Sequence, residues 1–407
     1  MIRRIWTLLP RKLRREALFG GMALLAPRIA RPEPDGEGVL AVAGYFTAAT
    51  GLGAATRRLV AGLRAAGLQP AEADLTGPLR QRAGPGGAGP LQPVPEGPGT
   101  LLVHVNGPML PWALRALGRR AVAGKRVIAV WNWELPLLPA DWLRGFRCCH
   151  EIWVGSEFVA AAVRAAPGAP PVRVVPYPIL PAPAPAAMGR DEFGLPAAAF
   201  VTLALFDATS SLARKNPLGA IAAHHAAFGD RADRVLVVKT HATADAGPGW
   251  AAVMAAAAAR PNVRVVDEHL SRPALWALMA ASDCLLSLHR AEGYGFAMAE
   301  AMLLGRAVVA TGWSGNVDFM HGPGAHAVPF RLVPAEDPQE IYDLPGARWA
   351  EPDGATAAAL LARLAGPPRA PHPPPVRFPL PDYPRLLYRR PRNAVPDSPM
   401  APAGAIE

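Results

Sequence analysis

At 407 residues and 51% hydrophobic, the chain is long and apolar enough to build two domains, each with its own packed interior. Its formal net charge of +10 favours anionic partners (phosphates, nucleic acid or acidic lipid) without choosing among them. Three cysteines, two of them adjacent (Cys148, Cys149), exclude a disulfide framework, and the lack of a second pair argues against a metal cluster. The 47 prolines accompany a general Ala and Arg bias, so single prolines in loops carry little weight.

Residues 1–35 form a basic, partly apolar arm. Arg3, Arg4, Arg11, Lys12, Arg14, Arg15, Arg28 and Arg31 stand against Glu16 in its first 31 residues. The apolar run ALFGGMALLAP would span roughly 16 Å as a helix, about half of a ~30 Å hydrocarbon core, so it is not a membrane span. Three readings stay open: a segment lying on an anionic membrane surface, an export signal with Arg14-Arg15 ahead of its apolar run but no small-residue cleavage site after it, or a basic arm without structure.

From Gly38 the pattern alternates strand and helix. VLAVAGY reads as a strand, and TGLGAATRRLVAGLRAAG has helical spacing with a glycine stop. Gly51 and Gly53 flank the turn between them, where a backbone without side chains can approach a ligand. Residues 77–99 read as a Gly/Pro loop. LLVHVN is a strand that brings His104 and Asn106 to its end, and RVIAVWNWELP is another, ending in Trp131, Asn132, Trp133 and Glu134. EIWVGSEF gives a strand and a helix start with Ser156 as N-cap, and VRVVPYP closes this half. A Pro/Ala linker follows, at 179–190.

The second half, 191–366, alternates again. FVTLALFD, VLVVK, VRVVDE, DCLLSL and RAVVAT read as strands, interleaved with NPLGAIAAHHAAFG, an Ala-rich helix at 250–260, RPALWALMAA and a helix at 355–365. Two such halves predict an α/β protein of two doubly wound Rossmann-like domains facing each other across a cleft. Residues 367–407 form a Pro-rich tail, expected to lack regular structure and to be partly disordered.

The stretch LHRAEGYGFAMAEAMLLGRAVVATGWSGNVD concentrates the candidate chemistry. Glu292 and Glu300 stand either side of a Gly293-Tyr294-Gly295 turn between a strand and a helix, a unit that would bring both carboxylates to the carboxyl edge of a parallel sheet, where open α/β sheets bind ligands. The E-x7-E spacing of Glu292 and Glu300 resembles the signature of retaining glycosyltransferases of GT-B architecture, specifically glycosyltransferase family 4. The resemblance extends from about residue 38 to 365 through Gly51-Leu52-Gly53, WELPLLP, EIWVGSEFV, LFDATSSLARKNPLGAI and SLHRAEGYGFAMAEAMLLGRAVVAT.

The resemblance implies roles, each with a physical counterpart. Glu300 would accept hydrogen bonds from the donor ribose hydroxyls, and the carboxylate of Glu292 would bind hydroxyls of the transferred sugar. Gly293, Tyr294, Gly295 and Phe296 would present backbone N–H groups to the pyrophosphate at a helix start. Arg214 and Lys215 resemble the basic pair that neutralises the departing diphosphate, and no D-x-D motif implies a metal. His289 and Arg290 are further donor-side candidates.

His104, Asn106, Trp133 and Glu134 would face the acceptor: indoles stack on sugar faces and a carboxylate binds sugar hydroxyls. A buried strand histidine and core tryptophans are the competing reading.

The expected activity is retaining, metal-independent transfer of a hexose from a nucleotide-diphosphate sugar to a saccharide or glycolipid acceptor. The setting would be bacterial surface polysaccharide synthesis in the cytoplasm, peripheral on the inner face of the membrane. No cofactor is implied beyond the nucleotide sugar. A catalytically inactive nucleotide-sugar-binding scaffold is the alternative. A nucleic-acid partner is disfavoured, because the basic residues are dispersed outside the arm and no recognition motif appears.

Overall fold

The structure, a computed structural model, describes residues 11–388 except 85, 182–185, 248, 343, 368 and 369. The arm's first ten residues and the tail beyond 388 lie outside it. The chain builds two six-stranded, all-parallel sheets, the two doubly wound Rossmann-like domains expected.

The first sheet contains β1 (Val39–Gly44), β2 (Ala71–Asp74), β3 (Gly99–His104), β4 (Lys125–Trp131), β5 (Glu151–Val154) and β6 (Val172–Val174), in the order β2-β1-β3-β4-β5-β6. β1, β3, β4 and β5 are buried almost throughout, as parallel strands covered on both faces must be. β2, with the sequence AEAD, has no apolar run to announce it and is an edge strand fixed by pairing with β1. The helix after β1, Gly51–Ala65, is capped by Thr50 and buries Ala55, Leu59, Val60 and Leu63 against the sheet. Each large apolar side chain so buried contributes roughly 1.5–3 kcal/mol.

The second sheet contains β7 (Phe200–Leu205), β8 (Arg234–Thr240), β9 (Val263–Asp267), β10 (Cys284–Ser287), β11 (Ala307–Thr311) and β12 (Ala325–Val328), in the order β12-β11-β10-β7-β8-β9. An antiparallel pair, β13 (Phe330–Pro334) and β14 (Arg348–Pro352), interrupts the second half and has no counterpart in the sequence expectation.

The order of each sheet reverses once, between β1 and β3 in the first and between β7 and β10 in the second. The crevices beyond the strand ends at these two points are where such sheets bind ligands.

The arm carries a helix, Arg11–Leu25, which packs through Phe19 on Trp112 with ring centroids 6.1 Å apart. Leu18, Leu24 and Leu25 stay exposed. Among the described residues no helix is long and apolar enough to cross a membrane.

The tail is more ordered than its proline content suggests. Val376 donates to the Met302 carbonyl at 2.9 Å on the second domain. The short helix Tyr383–Leu387 then returns to the first domain and buries Tyr383 and Leu387 completely. Arg126 anchors it, donating to the Leu386 and Leu387 carbonyls at 3.1 and 3.0 Å while paired with Glu151 at 2.5 Å and Glu33 at 2.8 Å. Proline removes hydrogen-bond donors but does not prevent this segment from docking through side chains and accepted bonds.

Candidate functional site

β7 leads into Ser210, Ser211 and the turn Leu212–Lys215, and β10 leads into the segment from His289 to Gly295. The second switch point therefore brings together Arg214, Lys215 and Glu292. Lys215 Nζ is ion-paired with Glu292 Oε1, and Arg214 Nη1 lies 3.4 Å from the same oxygen. Glu292 is held by its backbone on both sides: its N–H donates to Ser314 Oγ at 2.8 Å and its carbonyl accepts from Gly315 at 2.8 Å. Ser314 takes a positive φ of 77° to reach that position, local strain of the kind concentrated at functional sites.

Arg214 is buried and fixed by donation to the Ala291 carbonyl at 2.7 Å and Ser210 Oγ at 2.6 Å. Its Nε is buried without a hydrogen-bond partner, a donor left unused in the structure. Burial opposes the charge on Arg214, but Tyr342, Glu292 and Glu134 outweigh it and raise its pKa. Burial likewise pushes Glu292 upward, and Lys215, Arg214 and His289 overcome it, holding the carboxyl at about 2. Lys215 moves the other way, its pKa lowered by burial against the pull of Glu292. The cluster is thus a preorganised charge array, with Arg214 buried and Lys215 and Glu292 partly open to solvent.

Glu134, the acid expected on the acceptor side, reaches this cluster from the first domain. It is half-buried, hydrogen-bonds the Tyr342 hydroxyl and interacts electrostatically with Arg214 and Lys215. Tyr342 lies in the excursion between β13 and β14, with its ring 5.3 Å from the Arg214 guanidinium and 5.7 Å from Trp133. No periodicity or motif marked it in the sequence.

Glu300 lies a few residues into the helix Phe296–Leu303 and is buried. It pairs with Arg58 of the first domain, whose guanidinium stands 4.3 Å from the Phe296 ring centre, and with Arg272 at 3.0 Å. It does not touch the Glu292 cluster through any of these bonds. The helix has no side-chain cap at Gly295, so its first N–H groups are available to an anion.

The glycines of the turn have distinct causes. A Cβ on Gly293 would meet the Trp133 carbonyl of the other domain at 2.7 Å, and Gly295 has a φ of +104°. Tyr294 points away from the charge cluster into an aromatic group with Tyr177, Phe296 and Phe319. At the first glycine turn, Gly53 packs where a Cβ would strike the Ala48 carbonyl at 2.3 Å, whereas Gly51 faces open space.

The structure places several candidates as walls of the site. His289 is fully buried, with Nδ1 3.0 Å from Ser287 Oγ and Nε2 3.0 Å from Asn316 Oδ1, so both ring nitrogens are engaged within the domain. Arg290 is tied to Glu351 at 2.7 Å and to the Ala213 carbonyl, fixing the Arg214 turn against β14. Trp133 is buried against Trp142 and Tyr342, its indole N–H given to the Leu137 carbonyl at 2.7 Å. These tryptophan contacts follow the core-packing reading.

His104 and Asn106 sit at the first switch point. Thr56 Oγ lies 3.0 Å from the Leu52 carbonyl and 2.6 Å from His104 Nδ1, and His104 Nε2 lies 3.2 Å from Asn132 Nδ2. Burial drives this imidazole down to about 3, so it is neutral. Tyr177 joins the network at 2.9 Å from both His104 Nε2 and Asn132 Oδ1, and receives the Tyr294 hydroxyl on its carbonyl at 3.2 Å. Asn106 Oδ1 accepts from the Asn132 N–H at 2.9 Å. The two switch points therefore meet through Tyr177, with Ser156 Oγ donating across the seam to the Gly293 carbonyl at 2.7 Å.

Residues 232–344 match the family model described as glycosyl transferases group 1. That segment, less than half of the chain, carries Glu292, Glu300 and Tyr342 but begins after Arg214 and Lys215. No curated protein matches the chain as a sequence. Among solved structures, an OtsA apo structure is 14% identical with a TM-score of 0.47 over 65% of each chain. Anabaena HepE in complex with UDP and glucose is 14% identical with a TM-score of 0.46, over 65% of this chain and 68% of that one. The pneumococcal O-GlcNAc transferase GtfA in complex with UDP and GlcNAc is 11% identical with a TM-score of 0.45, over 67% of this chain and 51% of that one. The chain spans about half to two thirds of the length of these structures.

Proposed function

We propose that the chain is a glycosyltransferase that moves a hexose from a nucleotide-diphosphate sugar to a saccharide or glycolipid acceptor with retention at the anomeric carbon. The observation that carries this reading is the part-buried Arg214–Lys215–Glu292 cluster at the switch point of the second domain, with an unpaired Arg214 Nε and Glu134 arriving from the first domain. The glycosyl transferases group 1 match over the same domain supports it.

In this reading the diphosphate lies against Arg214, Lys215 and the free N–H groups at the start of the helix Phe296–Leu303. Negative charge grows on the leaving diphosphate as the glycosidic bond breaks, so cations already in place stabilise the transition state more than the ground state. They fill the role that a divalent metal plays elsewhere. Glu292, ionised and clamped, binds hydroxyls of the transferred sugar, and Glu300 exchanges Arg58 for the ribose hydroxyls. Attack comes from the face the diphosphate leaves, with a phosphate oxygen taking the acceptor proton, so no carboxylate nucleophile is required. Glu134 and Tyr342 line the acceptor side.

The exposed leucines and basic sequence of the arm suit an anionic membrane, and a lipid-linked acceptor at the inner face of a bacterial membrane in surface polysaccharide synthesis fits that placement. Recovery of all the protein in the soluble fraction at low salt refutes the membrane assignment.

Calorimetry with UDP, GDP and ADP, followed by turnover of the corresponding sugar donors, tests the main reading. One nucleoside diphosphate is expected to bind, and Glu300→Ala is expected to weaken it at least tenfold. Unchanged turnover in the Lys215→Ala, Glu300→Ala double variant refutes the site. Tight nucleotide binding without product across an acceptor panel would favour the inactive scaffold.

A further inference from the structure

Beyond the cleft residues assigned above, three arginines gather on the outer side of Glu300. Arg57 and Arg58 follow the first glycine turn on the helix Gly51–Ala65, and Arg272 opens the helix Arg272–Ala281 of the other domain. Arg58 and Arg272 share one carboxylate, that of Glu300. Arg57 is exposed and directs Nη1 to the Phe46 and Ala48 carbonyls at 2.6 and 3.1 Å, and Arg272 is 44% exposed, so the group opens to solvent.

The second nearby acid, Asp74, partly offsets the charge of Arg57 but makes no direct ion pair with it. Its oxygens already accept from the Phe46 and Thr76 N–H groups at 3.1 and 3.0 Å, and from the Thr47 and Thr76 hydroxyls, both at 2.6 Å. Burial and then the charges of Arg58 and Arg272 lower the Arg57 pKa, and burial followed by Arg58 lowers that of Arg272, the signature of three guanidinium groups crowding one another.

We propose that Arg57, Arg58 and Arg272 form a second anion site that takes a phosphate group of the acceptor and becomes available when the donor nucleotide occupies Glu300. This rests on the reading of Glu300 as the ribose ligand. Ribose hydroxyls that engage Glu300 compete with Arg58 and Arg272 for its oxygens, and the guanidinium N–H groups released from it can then donate to a phosphate. Planar forked donors match a phosphate dianion. Nucleotide and phosphate binding are thereby coupled, and by linkage each strengthens the other.

The test is calorimetry on the full chain with inorganic phosphate as probe, with and without the nucleoside diphosphate that binds. Phosphate affinity is expected to rise at least tenfold once the nucleotide is saturating. Arg57→Gln should cancel most of that gain while leaving nucleotide affinity within twofold, and Arg272→Gln should cancel it as well. Glu300→Gln should weaken nucleotide binding and, because it removes the neutralising charge, admit phosphate without nucleotide.

If no nucleotide binds the wild type, the glycosyltransferase reading fails. If nucleotide binds but phosphate shows no coupling, or the arginine variants keep it, the second site is wrong and the donor reading stands. Glucose 6-phosphate and phosphatidylcholine vesicles containing phosphatidic acid then separate a soluble from a lipid-borne phosphate. Nucleotide-dependent binding of either probe, lost in Arg57→Gln, upholds the site, and binding of neither overturns it.

Discussion

Replacing Lys215 by alanine removes the cation in closest contact with Glu292 and leaves Arg214 3.4 Å away. The carboxyl of Glu292 is held at about 2 against an ordinary value of 4.5. At about 1.4 kcal/mol per decade, that difference is roughly 3 kcal/mol favouring the ionised form in the folded protein. The unfolded chain takes up this proton near pH 4.5, where the folded chain does not. The stabilisation is therefore complete above pH 4.5 and is lost as the pH falls toward 2. Without Lys215 the Glu292 pKa rises, so the acid limb of the stability profile becomes shallower over that window. In turnover, one preorganised cation at a departing diphosphate is worth on the order of 10²–10³ in kcat. Donor hydrolysis followed by nucleoside diphosphate release should show kcat falling by that factor and KM by much less, since the charge it meets develops in the transition state. A variant that keeps wild-type kcat, or that loses only KM, would refute the assignment of Lys215 to the leaving group.

Gly293→Ala should lower stability by about 1–3 kcal/mol in urea titration, because the new Cβ meets a backbone carbonyl across the seam at 2.7 Å. Gly51→Ala, which meets nothing, should leave the midpoint unchanged while weakening donor affinity several-fold; equal donor affinity would remove Gly51 from the binding surface. His104 is held at about 3 against 6.5, so the unfolded chain gains a proton first and stability falls as the pH drops below 6.5. Between pH 7.5 and 5, His104→Gln should lose about 2 kcal/mol less than the wild type. Arg58→Met keeps an apolar stem over Phe296 and removes the competitor for Glu300. Nucleotide affinity in that variant should hold or rise, and a clear fall would mean that Arg58 itself binds the nucleotide.

The strands and helices that carry the two sheets were legible because parallel strands buried on both faces appear as continuous apolar runs, and helices such as Gly51–Ala65 carry an apolar stripe with polar caps. β2, β12, β13 and β14 were not, because AEAD, AHAV and FRLVP owe their conformation to a neighbouring strand rather than to their own pattern. The residues that share the charge cluster (Arg214, Lys215, Glu292 and Glu134) were marked by motif and strand-end position. Arg58, Arg272, Tyr177 and Tyr342 were missed, since each reaches the site only through the approach of a segment far away in sequence. His289 and Arg290 show the converse. Adjacency to Glu292 singled them out, but their bonds to Asn316 and Glu351 make them braces for the loop that carries it.

The two glutamates differ in what holds them, and the difference orders events in the cleft. Glu292 is paired within its own domain, by Lys215 and Arg214, so that cluster keeps its geometry whether or not the domains separate. Glu300 is paired across the seam by Arg58, so any ligand seeking its carboxylate competes with an interdomain bond. A buried pair of this kind returns little net stability once desolvation is counted. The seam therefore depends more on the Tyr177–Tyr294–Phe296 packing, the Ser156–Gly293 bond and the returning Tyr383–Leu387 segment. On the proposed placement of the donor, exchange of Arg58 for ribose hydroxyls would proceed without undoing the contact between the domains. The charge of Arg214 and Lys215 stays fixed by Glu292 throughout, with Glu134 positioned against it.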